Sequence, residues 1–373
     1  MKYISNDRVL NFSFKKHNNA PWIKEDLVKY YASGREAIIS LIDLLATDGK
    51  NRVALLPAYV PQGLYAPFEK RGWEILLYPI DKELNPIWAE VELLIKRHSP
   101  SIAILIHYFG TIQAIEKFVE ICHKNGVKVI EDHSHILTKM DKFEYKGDYI
   151  LYSLPKMIGV GDGAVLVLRD LTIDIKKLTF HKTRTNHIYL LKQFFLLIVN
   201  SSIYKIPSAK LVNILSAVFG KLFSSYNNLM SIYQNPNKIS FLSYKIVERV
   251  DFDELIKTRS RYAKMYKDKL NPKYFTKLSS INSENHAMFA YPILVEDRNS
   301  FYKYLSKKGI YGTYLISNWN YIPKEYQGSS KFVDTEYIIN HHFVLPTALH
   351  LKDEDIEKII NCANEWGEKR YLK

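Results

Sequence analysis

The strongest constraint on how this chain folds is an alternation between residues 25 and 170. Short apolar runs trade places there with amphipathic stretches. The runs are Val53–Leu56, Ile75–Ile80, Ile102–His107, Val127–Ile130, Tyr149–Leu154 and Ala164–Leu168. Near-continuous apolar character marks strands covered on both faces. Between them, Ile38, Ile39, Leu41, Ile42, Leu44 and Leu45 make one helical stripe, and Ile115, Phe118, Val119 and Cys122 make another. A strand–helix–strand rhythm packs as a mostly parallel sheet between helices, which places the chain in the α/β class. Farther on, Phe289–Val295 and His342–Pro346 read as strands, and Ser300–Lys308 and Asp353–Trp366 as helices. The pattern predicts a large domain over 1–174, a helical insertion over 175–247 and a smaller C-terminal α/β domain over 248–373.

Charge sets the middle segment apart. Of the formal net charge of +13, ten units lie between Ile175 and Val247, which holds ten Lys and Arg residues and no Asp or Glu. Its apolar stretches, Ile188–Ile206 and Leu211–Met230, are interrupted by lysines. Its uncharged runs, Gln193–Tyr204 among them, fall short of the ~20 residues a spanning helix needs. Two readings remain open. The segment packs on its own domain or across a dimer interface, or it lies in the plane of an anionic membrane. No recognisable nucleic-acid motif accompanies the basic residues. Cys122 and Cys362, the two cysteines, have neither zinc nor CxxC spacing. With no secretory pattern at the N-terminus, the expectation is a cytoplasmic protein, with the inner membrane face as a second address.

Three places carry chemistry. Ser33-Gly34-Arg35-Glu36-Ala37 opens the first helical stripe. A helix start of this kind suits a phosphate, but Ser-x-x-Glu is equally a capping box that needs no ligand. Val129-Ile130-Glu131-Asp132-His133-Ser134-His135 runs a strand straight into acidic and imidazole side chains. Ligands in open α/β sheets bind beyond such carboxyl ends. Asp132 there suits a pyridinium nitrogen and His135 a ring oxygen. A metal cluster of His133, His135 and a carboxylate is the alternative, without support from a second ligand set; no metal is expected. Tyr149-Ile150-Leu151-Tyr152-Ser153-Leu154-Pro155-Lys156 delivers Ser153 and Lys156 to a loop containing Gly159, Gly161, Asp162 and Gly163. A lysine with a lowered pKa in such a place forms imines, and Ser153 suits a phosphate.

With Leu56-Pro57-Ala58-Tyr59-Val60 and Ile106-His107-Tyr108-Phe109-Gly110, these segments resemble, in order, those of the DegT/DnrJ/EryC1/StrS family of sugar aminotransferases. The resemblance implies a fold-type I architecture with pyridoxal 5'-phosphate (PLP) held by Lys156 and Asp132 at the pyridine nitrogen. It implies His135 near the ring hydroxyl, Gly34, Arg35 and Ser153 at the phosphate, and Tyr59 stacked on the ring, with a core aromatic as the alternative for Tyr59. It further implies a homodimer that moves an amino group from an amino acid, expected to be L-glutamate, to a keto-sugar nucleotide in polysaccharide or glycoconjugate synthesis. The alternatives are a PLP enzyme on a lipid-linked or membrane-held substrate and a non-catalytic binding protein. Where the family has Gly-Thr, this chain has Gly34-Arg35, and its glycine loop reads Gly161-Asp162-Gly163-Ala164.

Overall fold

The computed structural model describes residues 2–47, 51–139, 144–170, 178, 187–203, 206, 208, 211–212, 214, 236–278, 286–311 and 321–371. Most of the basic segment, including nearly all of Leu211–Met230, lies outside the described residues.

The apolar runs form the expected sheet. β2 (Val28–Tyr31), β3 (Val53–Pro57), β4 (Glu74–Tyr78), β5 (Ile102–Ile106), β6 (Lys128–Asp132), β8 (Tyr149–Ser153) and β9 (Ala164–Leu168) make seven strands in the order β2-β9-β8-β6-β5-β3-β4. The pairings from β4 to β8 are all parallel, and β9 runs antiparallel to both its neighbours. Every residue of β3, β5 and β9 is buried, which explains their unbroken apolar sequence. Helix α1 (Gly34–Thr47) packs on β2, β8 and β9 through Ala37, Ile38, Leu41, Ile42 and Leu45. Each fully buried Leu or Ile there stabilises the layer by about 2 kcal/mol. Helices α2 (Gln62–Lys70), α3 (Trp88–His98) and α4 (Ile115–Lys124) cover the sheet elsewhere.

The C-terminal part builds a second sheet, β10 (Thr276–Lys277), β12 (Tyr291–Leu294) and β14 (His342–Leu345), antiparallel throughout. Helices α9 (Arg298–Lys307), α10 (Val333–His341) and α11 (Asp353–Tyr371) belong to this part. Asp297 caps α9 by accepting the Ser300 N–H at 2.9 Å. Two connections tie the parts together. β7 (Ile136–Thr138), just past β6, pairs with β11 (His286–Met288), and β1 (Ile4–Ser5) pairs with β13 (Ile310–Tyr311). The long helix α8 (Phe252–Lys269), which the apolar pattern left unassigned, sends a buried Arg259 to the carbonyls of Met157, Met288 and Phe289. Helix α6 (His187–Ile203) accounts for most of the apolar stretch Ile188–Ile206, and α7 (Phe241–Val247) follows it. Among the described residues no helix is long and apolar enough to cross a membrane.

One turn fixes how the two parts meet. After β5, Phe109 (φ 58°) and Gly110 (φ 105°) both have left-handed backbone. A Cβ on Gly110 would stand 2.5 Å from Cα of Met288 on β11. Backbone cannot move aside as a flexible side chain does, so only glycine fits. Gly110→Ala is expected to destabilise the fold by about 2 kcal/mol or more. Denaturant unfolding checks this, and an unchanged midpoint would count against the tight turn.

Candidate active site

The parallel strands β5, β6 and β8 end at one edge, with Ile106 opposite Asp132 and Asp132 opposite Leu151. β2 ends at the same edge, because Tyr31 and Ser153 both pair with Ala164. This gathers the start of α1, the turn after β5, Asp132–His135 and Ser153–Lys156 around one place. Backbone hydrogen bonds stitch them: Gly163 N–H donates to Ala32 O (2.8 Å) and Leu154 N–H to Gly163 O (3.1 Å).

A cavity of about 780 Å³ opens at this edge. Its walls include Ser33, Gly34, Ser153, Lys156, Asp162 and the N-terminal stretch around Asp7. Lys156 sits on α5 (Leu154–Met157), a single turn begun by Pro155. Its Nζ lies 3.1 Å from Nε2 of His135. Burial pulls the amine below its ordinary pKa; Asp132 opposes that shift and Arg35 adds to it. His135 is held well below its usual range by burial, then by Lys156 and His342. Asp132 is buried and anchored, its Oδ1 accepting the Ser134 N–H at 2.9 Å.

The cap forms as well, with Ser33 Oγ accepting the Glu36 N–H at 3.4 Å. Ser33 Oγ donates to Glu36 Oε2 (2.8 Å), and Glu36 Oε1 accepts from Asn237 (2.9 Å). Asn237 also accepts the Ala32 N–H (2.9 Å), and Asp162 accepts from the N–H and hydroxyl of Ser240. The chain emerging from the basic segment therefore seats the start of α1. Capping occupies Ser33 and Glu36; helical geometry leaves the Gly34 and Arg35 N–H groups without intrahelical acceptors. The cap forms without using those two N–H groups.

Of the candidate residues, Gly34, Ser153 and Lys156 line the cavity, while Arg35, Asp132, His135 and Tyr59 lie behind its walls. Tyr59 is fully buried, stacked on Tyr108 (5.4 Å) and near Phe109 and His342. Of the loop glycines, Gly159 makes room for protein, since a Cβ there would stand 2.0 Å from the Val9 carbonyl oxygen. The N-terminal stretch joins the site without a local sequence signal. Nothing in Tyr3–Arg8 has a chemical signature, and it arrives through the β1–β13 pairing.

His133 turns away from the cavity. Its Nε2 and that of His107 both donate to Oε1 of Glu131 (2.7 and 3.0 Å), while Oε2 accepts the N–H groups of Lys146 (3.0 Å) and Gly147 (2.9 Å). His107 Nδ1 in turn accepts the Gln113 N–H (3.1 Å). The ligand-type atoms of these three residues lie close together, but hydrogen bonds account for both carboxylate oxygens. Burial alone would raise Glu131, yet the two imidazoles bring it well below its usual range. A depressed carboxyl stabilises the fold above its unfolded pKa, and the gain is lost as pH falls through and below about 4.5. Glu131→Gln should cost about 3 kcal/mol at neutral pH and remove part of the acid-side slope of stability. Unfolding free energies measured from neutral pH to about pH 3 test this, and parallel curves for the two proteins would contradict it.

The residues present fit PLP. A half-buried amine, a buried carboxylate at a strand end, a helix start and a cavity of ligand size share one edge. The family profile of the DegT/DnrJ/EryC1/StrS aminotransferases matches residues 70–183 and 247–364. No curated protein sequence matches significantly. Among solved structures, the chain is similar to the PLP form of the sugar aminotransferase Spr1654 of Streptococcus pneumoniae, at 13% identity and a TM-score of 0.66 over 93% of this chain and 88% of that one. It is also similar to a DegT DnrJ EryC1 StrS aminotransferase of Brucella abortus (14%, TM-score 0.64, 92% and 86%). A third is the aminotransferase TlmJ of Streptoalloteichus hindustanus (17%, TM-score 0.63, 92% and 86%). At these identities the likeness concerns the fold. The profile spans more than half of the chain, and with it the chain belongs to the DegT/DnrJ/EryC1/StrS family of PLP-dependent aminotransferases.

Proposed function

We propose that this protein transfers the amino group of an amino acid, expected to be L-glutamate, to a keto-sugar nucleotide in polysaccharide or glycoconjugate synthesis. The observation that carries the reading is Lys156, half-buried in the cavity wall and facing His135 beside the start of α1. We assign Lys156 as the cofactor-bearing and proton-moving residue, and Asp132 as partner of the pyridine nitrogen. Gly34, Arg35 and Ser153 take the phosphate, and His135 faces the ring hydroxyl. Tyr59 we place behind Phe109, as support rather than as a ring contact.

The bound cofactor supplies an electron sink for the pair released at the donor's α-carbon. The protein does the rest. Lys156 Nζ, as a free amine, would accept the donor's α-proton. Asp132, fixed through Oδ1 by Ser134, keeps Oδ2 for the ring nitrogen. The net positive charge of the chain favours an anionic substrate such as a nucleotide-sugar. We also keep the division at 174 and 247, with the intervening segment as an insertion between the two α/β parts.

A second reading concerns where the protein works. On α6, Leu191, Phe195 and Ile198 are exposed at helical spacing, in a stretch free of acidic residues. A cytoplasmic homodimer could bury this face, as family membership suggests, or an anionic membrane presenting a lipid-linked sugar could cover it.

Two experiments test these readings. L-glutamate should convert the spectrum of the PLP-loaded protein to the amine form, and a keto-sugar nucleotide should reverse it. Asp132→Asn should slow the change by roughly 10²–10⁴. No change with any amino donor would favour the non-catalytic alternative. Salt-sensitive sedimentation with anionic vesicles would support the membrane reading, whereas a stable dimer indifferent to vesicles would sink it.

A further inference from the structure

We propose that the backbone N–H of Phe109 fixes the tautomer of His135, so that His135 offers Lys156 a hydrogen and holds it as a free-base amine. The inference deepens the assignment of Lys156 above, but the geometry behind it does not depend on that assignment.

Two contacts on opposite sides of one ring carry the argument. Phe109 N–H points at Nδ1 of His135, 3.3 Å away, and Nε2 faces Lys156 Nζ at 3.1 Å. A backbone amide only donates, so Nδ1 must present its lone pair. The ring hydrogen of neutral His135 therefore sits on Nε2. A doubly protonated ring would set two hydrogens against each other at Nδ1 and bury a cation beside the lysine. A hydrogen bond from Nε2–H to Nζ needs a lone pair on the lysine, which an ammonium lacks.

The ring cannot easily turn over to exchange its edges. Phe109 and Phe289 lie nearly parallel to it, at 5.5 Å and 18°, and 5.1 Å and 21°. Phe109 is itself stacked on His342 at 4.0 Å. Phe289 N–H holds the His135 carbonyl at 2.9 Å. The left-handed backbone of Phe109 thus acquires a purpose: this buried non-glycine residue aims its N–H at the imidazole.

The charges around the pair act in both directions. Asp132, from the end of β6, favours an ammonium, while Arg35, from α1, disfavours it. His342, from β14, is pushed down to about 3 by burial and then by Arg298, so it brings no charge near neutrality. The tautomer adds a bias that Asp132 alone would oppose. The consequence is kinetic readiness. An ordinary lysine is free base in only about one molecule in 2,500 at pH 7, and only the free base attacks an aldehyde.

The test uses the full chain freed of cofactor and labelled with ¹⁵N-histidine. Two-bond proton–nitrogen spectra should show His135, assigned by its loss in His135→Gln, with hydrogen on Nε2 alone at neutral pH. In parallel, acetylation of Lys156 is followed by mass spectrometry against pH, with exposed Lys24 as the reference. Lys156 should titrate at least tenfold more readily than Lys24. His135→Gln, whose amide can turn either end to the lysine, should lose a large part of that advantage. Hydrogen on Nδ1, or a Lys156 titration that ignores the exchange, overturns the proposal. Should that variant fold poorly, His135→Asn supplies the assignment and the wild-type spectrum decides. Neither readout requires cofactor binding, so failure of the cofactor assignment would be recognised separately.

Discussion

A half-buried primary amine at a cavity wall, with an imidazole and no carboxylate as its polar contact among the described residues, is the condition around which this structure is arranged. Among the described residues, no acidic group lies within ion-pair distance of Lys156; its polar neighbour is an imidazole. Such an amine is costly to keep charged, and the cost makes it useful. Holding it in place requires rigid surroundings, and the sheet provides them. Strands β5, β6 and β8 end together, and the loops that follow them are tied by backbone hydrogen bonds to one another and to the start of α1.

The supporting network is spread across the sequence. Glu131 spends both oxygens on four donors from three segments, which fixes the turn before β8 and hence the approach to Lys156. Arg259, on α8, grips the carbonyl that follows the lysine and two on the Met288–Phe289 stretch. Asn237 and Ser240 brace the start of α1 and the glycine loop. Each of these groups holds backbone or another side chain. Loss of any one is therefore expected to loosen the site before it touches the chemistry.

What the sequence makes legible follows from the range of the interactions. Strands buried on both faces announce themselves by composition, so β3, β5, β6, β8 and β9 were placed to within a residue or two. Asp132 and Lys156 were visible because each follows such a strand. The long-range features were not. The pairing of Ile4–Ser5 with Ile310–Tyr311 joins residues some three hundred positions apart and leaves no local pattern. Phe109 reads as one more core aromatic, since nothing in its side chain reveals a left-handed backbone. Gly110 beside it was the available signal. Tyr59 carries two readings, a ring contact implied by the resemblance and a core aromatic, and local sequence does not choose between them; its side chain is fully buried against Tyr108.

The central claim is that Lys156 is the residue that carries the cofactor. Borohydride reduction of the PLP-loaded protein, followed by peptide mapping, tests it most directly. The account predicts a single phosphopyridoxyl label on the peptide containing Lys156, absent when Lys156→Ala is treated in the same way. A stoichiometric label on another lysine, or none at all under saturating cofactor, would contradict it.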